Sequence, residues 1–273
     1  MIHDEPVPQV LREKALERAR AATTFPMLTG MMKQLFRIIG DADASLAQLY
    51  DVVKHDQAIS AKIISIANSV YYSRGTSVTS LERAMITVGF NEIKRIIVCM
   101  VFLQGIRAPW KLGQEDVAAM WKHSLTVAHA ARTLAEKVVA EDPEEVFTIS
   151  ILHDIGKVVF YALGGRYRGM VNEASLLAQD ICGLERIEYG IDHQEVGHEM
   201  AIAWGFPEEF SDAILTHHTP HDGKAPIIDI VRDADAFVCG REGRVPDRER
   251  AVLQNEKDRI IAETELIRQL VGV

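Results

Sequence analysis

Two dipeptides in this chain have the makings of chemistry: His153-Asp154 and His217-His218. Imidazole suits Fe, Zn, Ni and Co, and a carboxylate extends the range to Mn. Neighbouring residues on a helix point about 100° apart. His153 and Asp154 therefore meet one ion only if it sits over the helix edge. Asp154 has two oxygens and can bridge two ions while His153 binds one. Lys157, a turn or less further on, offers an ammonium that can hold a phosphate oxygen as a point charge. A lone His-Asp dipeptide is more often a buried or solvated pair than a metal site. The wider set of His123, His153, Asp154, His193, His217, His218 and Asp235 changes the weighing. One ion takes about four to six ligands, and a two-ion site roughly seven with sharing. The set is of that size, although spacing does not show that its members converge. His3, His55, His129, His198 and His221 are read as core or surface residues. His198 is the closest of these to inclusion, because it follows His193 by little more than one turn.

Helices must position these groups, since strand signals are almost absent and helical periods dominate. Asp43-Ala44-Ser45 offers caps for a helix carrying Leu46, Leu49, Tyr50 and Val53. Ile59, Ile63, Ile66, Ala67 and Val70 form the next stripe. Thr79-x-x-Glu82 has capping-box spacing, Gly89 stands where a C-cap is wanted, and Asn91 is placed to cap the following helix. The stretch from Gly105 to Asp116, with Pro109 and Gly113, breaks the pattern and marks a subdomain boundary. Helix resumes at Val117 and runs to about Ala140. Asp142-Pro143-Glu144-Glu145 starts a helix that leads into His153-Asp154. Asp192-x-x-Glu195 opens another, and Pro207 introduces the one that ends near His217-His218. The expected organisation is all-α: an extension at 1–20, an N-terminal helical subdomain at 21–110, a metal-binding helical subdomain at 111–240 and a helical tail at 241–273.

The bulk numbers set limits. Of 273 residues, 48% are apolar and 25% charged, which excludes disordered and collagen-like classes. The net charge of −9 gives no electrostatic footprint for nucleic acid. Lys94, Arg95 and Arg107 are too few for a phosphate-binding stripe and are read as a solvated helix face. Three scattered cysteines, no CxxC and no apolar leader at the N-terminus point to a cytoplasmic protein with free thiols. The longest apolar run, Ile96 to Leu103, is too short to span a bilayer and suits a buried helix.

An ordered set of motifs resembles the HDOD family. Thr24-Phe25-Pro26-Met27-Leu28 resembles its entry segment, and Leu49 to Ile63 its N-terminal helix pair. Ile66-Ala67-Asn68-Ser69 resembles its L-x-x-A-N-S signature. Thr79 to Ala84 followed by Val88-Gly89 resembles its SL-x-x-A-x-x-x-LG segment. Trp121-Lys122-His123-Ser124, Leu152 to Lys157, Asp192-His193-x-x-Val196-Gly197 and His217-His218-x-Pro220 continue it in order. The likeness covers roughly residues 20 to 240. Each motif alone is weak, and the ordered set is highly specific.

The resemblance implies an all-helical bacterial signalling domain, related to the HD phosphohydrolases and the HD-GYP cyclic-di-GMP phosphodiesterases and often regarded as non-catalytic. Many members have lost their metal ligands, whereas this chain keeps them. It implies His123 as first ligand and His153-Asp154 as the central pair, with Asp154 bridging. His193, His217 and His218 would serve a second ion and Asp235 would close the set, with Asp233 as its competitor. After His218 the chain reads Thr219-Pro220-His221-Asp222-Gly223-Lys224-Ala225-Pro226, without Gly-Tyr-Pro, which speaks against cyclic-di-GMP specificity. Ala119 stands where some relatives place an acidic ligand, which speaks against a third ion.

Two readings of function follow. One is a signalling module that works through protein or ligand binding, with two divalent ions (Fe, Mn, Ni or Zn) as scaffold or sensor. The other is a metal-dependent phosphohydrolase acting on a nucleotide or another phosphoester, with Asp154 and Lys157 as its catalytic residues. The expected partners are signalling proteins or a phosphorylated small ligand. A second copy of the chain is a further candidate, because the C-terminal helix can pack on its own body or on another. Neither nucleic acid nor a membrane is expected as a partner.

Overall fold

In the computed structural model, residues 8–21, 26–39, 41, 43–73, 75, 77–107, 110, 112–139, 141–177, 179–219 and 225–272 are described. His3, Thr24, Phe25, Pro109, Ala140, Pro220, His221, Asp222, Gly223 and Lys224 lie outside them, as do the side chains of Pro26, Met27, Leu28 and Arg107. The secondary structure of the described residues is helical throughout.

The first six helices are α1 (Pro8–Ala21), α2 (Pro26–Ile39), α3 (Leu46–Val53), α4 (Gln57–Ala67), α5 (Leu81–Val88) and α6 (Phe90–Arg107). Side-chain caps fix several starts. Ser45 and Gln48 form a reciprocal capping box on α3, and Asp56 accepts the Ile59 N–H at the start of α4. On α5 the cap is Ser80, not Thr79, because Ser80 is the extended residue whose hydroxyl accepts the Arg83 N–H. Gly89, at φ 96°, closes α5 as expected. Its carbonyl also accepts the Ile93 N–H, so α6 begins at Phe90 and Asn91 sits inside the first turn instead of capping it.

Helices α7 (Gln114–Lys137), α8 (Pro143–Leu152), α9 (Lys157–Leu163), α10 (Tyr167–Leu177) and α11 (Ile181–Tyr189) follow. Then come α12 (His193–Trp204), α13 (Glu208–Thr216), α14 (Pro226–Val238), α15 (Asp247–Asn255) and α16 (Lys257–Val271), with a 3₁₀ turn at Glu242–Arg244. Asp142 accepts the N–H groups of Glu144 and Glu145 to start α8, and Asp192 that of Glu195 to start α12. The stretch Pro143–Leu163 is apolar and long enough to cross a membrane, yet 78% of its most apolar 18 residues are buried in the fold and the His153–Gly156 turn interrupts it.

Helix α7 is the axis around which the site is built. It packs on α8, α14, α15 and α16, and Trp121 on it meets Phe102 of α6 at a ring separation of 5.7 Å. A continuous apolar core runs from Ala15 on α1 to Leu270 on α16. Helix α1 lies against α9, α11 and α12. Lys94 and Arg95 are buried, not a solvated face. Arg95 is drawn in by opposite charge: its guanidinium bonds Glu92 on its own helix and Glu144 on α8. A buried cation needs such partners to recover its lost hydration.

Candidate metal centre

The seven ligand candidates arrive from distant parts of the sequence. His123 comes from the middle of α7, and His153 is the C-cap of α8. Asp154 stands in the turn between α8 and α9, so the α8 helix ends before the His-Asp pair is complete. His193 opens α12, His217 is the C-cap of α13 with His218 beside it, and Asp235 lies near the end of α14. Two glycines let these elements close up. A Cβ on Gly156 would lie 2.0 Å from the His193 carbonyl oxygen, and one on Gly197 2.7 Å from Ile214. The turn carrying Asp154 therefore meets the start of α12 backbone to backbone.

All seven side chains converge. Asp154 Oδ2 lies 3.1 Å from His123 Nε2 and 3.4 Å from His153 Nε2. Asp154 Oδ1 faces the other way, 3.2 Å from His193 Nε2 and 3.6 Å from His217 Nε2. Asp235 Oδ1 is 3.3 Å from His123 Nε2, and its Oδ2 is 3.6 Å from His218 Nδ1. Two ligand groups result: Asp154, His193, His217 and His218, and His123, His153 and Asp235. Asp154 straddles them with one oxygen toward each. Asp233, the competitor for the last place, turns instead to Arg232 at 3.0 Å.

The ring orientations indicate what the groups are for. His153 Nδ1 donates to the Ser150 carbonyl at 2.6 Å, and His217 Nδ1 to the Ile214 carbonyl at 2.8 Å. His193 Nδ1 lies 2.6 Å from Glu185 Oε2. A carbonyl only accepts, so the proton of a neutral ring is committed to Nδ1 and the Nε2 lone pair points inward. Yet His193 Nε2 and His217 Nε2, both with Nδ1 committed elsewhere, stand 3.3 Å apart. Facing lone pairs at that distance repel unless a positive charge lies between them.

Burial works to lower His123 and His193, but the carboxylates around them win: His123 rises to about 9, drawn by Asp154 and Asp235, and His193 rises well above the usual range, drawn by Glu185. Burial lowers His217 to about 4 and takes His218 well below the usual histidine range. Without a cation, each ligand group thus gathers a proton in its place, while His217 and His218 stay neutral and able to ligate. One proton serves one donor–acceptor pair. A proton on His193 Nε2 reaches Asp154 Oδ1 at 3.2 Å, but His218 Nε2 remains buried without a hydrogen-bond partner, an orphan that a cation would satisfy. The donor set fits divalent ions: imidazoles with exposed lone pairs, two carboxylates held ionised, and one carboxylate shared. Burial works to raise Asp154 and Asp235, but the surrounding histidines, with Lys157 beside Asp154, keep both well below the usual range.

The centre lies at the floor of a cavity of about 240 Å³. His123, Asp154, His218 and Asp235 reach it, as do Lys157 and Arg241, with apolar walls from α7 and α10. Lys157 Nζ lies 2.6 Å from Asp154 Oδ2, and Arg241 Nη2 2.7 Å from Asp235 Oδ2. The remaining described histidines stay out. His129 is buried against Phe147 and Glu263, His198 donates to the Ser211 carbonyl, and His55 is exposed beside α3.

Sequence reasoning missed Glu185 and Arg241. Glu185 left a signal: Ile181, Cys182, Glu185 and Tyr189 share one helical face, so a carboxylate stands where the pattern asks for an apolar residue. Arg241 left none, since it opens a charged stretch that reads as surface.

An HDOD domain profile matches residues 25–220, well over half of the chain. The chain belongs to the HDOD family. An HDOD domain protein of Geobacter sulfurreducens superposes with a TM-score of 0.70 at 22% identity, covering 96% of this chain and 99% of that one. A protein of Shewanella amazonensis superposes at 0.62 and 20% identity, covering 95% and 88%. Among curated sequences, ribonuclease Y of Aquifex aeolicus is 28% identical over 121 residues, which is 44% of this chain and 17% of that enzyme. This HDOD chain spans less than half the length of the curated relatives it matches first.

Proposed function

We propose that this HDOD protein is a metal-dependent phosphohydrolase acting on a small phosphoester. The observation that carries the reading is Asp154, with one oxygen in each of two ligand groups at the floor of an open cavity. Divalent ions held by these residues would supply Lewis acidity to a phosphoryl oxygen and a more acidic water near neutral pH. The chain's own groups do the rest. Asp154 sets the spacing of the two groups. Lys157, which lines the cavity beside Asp154, would bind a phosphate oxygen. The α7 and α10 walls exclude water from the ligand's other face. The Shewanella structure is described as a candidate phosphohydrolase, and the Aquifex relative is named a ribonuclease; both descriptions concern phosphoester cleavage. A cavity of about 240 Å³ favours a mononucleotide-sized ligand or smaller over a polynucleotide.

A second reading retains the site as the ion-bound scaffold or sensor of a signalling module. It is favoured by Lys157 and Arg241, both of which are paired with ligand carboxylates instead of standing free for phosphate. Elemental analysis of purified protein, followed by a screen of phosphomonoesters and diesters, separates the two. Turnover that is lost in Asp154→Asn, and lost in Lys157→Met while the ions stay bound, supports the hydrolase. Full ion occupancy with no turnover on any ester refutes it and leaves the sensor.

A further inference from the structure

Glu185 is a buried carboxylate that the ligand set does not use. It lies on α11, fully enclosed. Its Oε2 accepts two N–H groups of one residue, His193 Nδ1 at 2.6 Å and the His193 backbone N at 2.9 Å. Its Oε1 accepts the Tyr167 hydroxyl at 2.5 Å. Tyr167 is itself buried and opens α10, the helix whose Val171, Ala174 and Ser175 line the cavity. A continuous buried chain therefore runs from the cavity wall to one ligand.

A neutral imidazole has one N–H and one lone pair. Were the proton on Nε2, it would point at Asp154 and His193 would cease to be a ligand. An ionised carboxylate accepts only, so Glu185 draws the proton to Nδ1. The same oxygen also holds the His193 backbone, which fixes the ring relative to the start of its helix. The Tyr167 hydroxyl occupies the other oxygen and keeps the carboxylate from turning. Cys182 does not compete for this place. Its sulfur is 4.0 Å from His193 Nδ1 and donates to Gln194 Oε1, and burial keeps the thiol protonated.

We infer that Glu185, held by Tyr167, is the positioning residue that presents His193 Nε2 to the Asp154–His217–His218 group, and that it ties the α10 cavity wall to that group's affinity for a cation. The inference rests on the reading that the seven residues bind divalent ions. It extends beyond that reading, because outer partners of ligating histidines change affinity by about tenfold to a hundredfold.

The test is calorimetric titration of chelator-stripped protein with Co²⁺, with the Co²⁺ absorption spectrum recorded at each step. Glu185→Gln is expected to weaken one of two sites by about tenfold to a hundredfold and to alter the spectrum of that ion, with the other site less affected. Tyr167→Phe is expected to weaken the same site by a smaller factor. Folded variants that bind two ions with wild-type constants, or that weaken both sites in parallel, overturn the inference while the metal reading stands. Wild-type protein that takes up no divalent ion overturns both. If Glu185→Gln does not fold, Tyr167→Phe decides alone: one-site weakening supports the inference and unchanged binding overturns it.

Discussion

Thermal stability should depend on divalent ions through one carboxylate. Asp154 places one oxygen 3.1 Å from His123 and 3.4 Å from His153 and the other 3.2 Å from His193 and 3.6 Å from His217, so its loss should disable both sites together. Ions that bind only the folded state add about 2.7 kcal/mol per site at a hundred times the dissociation constant. For two sites the gain is about 5 kcal/mol. A chain of 273 residues has an unfolding entropy near 0.57 kcal/mol/K at the midpoint, from roughly 2.1 cal/mol/K per residue. The melting temperature should therefore rise by about 9 °C on adding Mn²⁺ or Zn²⁺ to chelator-stripped protein. In Asp154→Asn the rise should vanish. The stripped variant should also melt lower than stripped wild type, because the Lys157 ammonium loses the carboxylate 2.6 Å away, and breaking a buried pair from one side costs about 3–5 kcal/mol. Differential scanning calorimetry reads both effects. A variant that gains as much from the ions as wild type does would refute Asp154 as a shared ligand.

Other consequences follow from particular contacts. Gly156→Ala places a methyl against the His193 carbonyl and should destabilise by about 3 kcal/mol or more while displacing His193, which urea unfolding and ion titration measure together. Arg95→Ala leaves Glu144 on α8 without one of its two cations and should lower stability by about 3–5 kcal/mol in the same urea assay; a loss under 1 kcal/mol would show that Arg132 suffices. Asp142→Ala removes the acceptor for two N–H groups at the start of α8 and should cost about 0.5–2 kcal/mol, read as a lower denaturation midpoint at unchanged slope.

Read alone, the sequence determined the helical class, most helix starts and the identity of the ligand candidates. These are local matters. A cap such as Asp142 or Ser45 acts on backbone groups within three residues of itself, and an apolar stripe shows its period within a few turns. Even so, local reading placed the α5 cap one residue early at Thr79, because adjacent Thr and Ser are both good caps and only the backbone shows Ser80 to be the extended residue that accepts the Arg83 N–H. The convergence of His123, Asp154, His193 and Asp235 was settled only by tertiary packing, which brings α7, α12 and α14 around one turn. The same packing buried Arg95, which looks like a surface cation until Glu144 appears across from it. It also made Glu185 the acceptor for His193, a contact spanning eight residues and two helices. Such groups take their roles from the charge and the empty space that other segments bring, and no spacing along the chain encodes those.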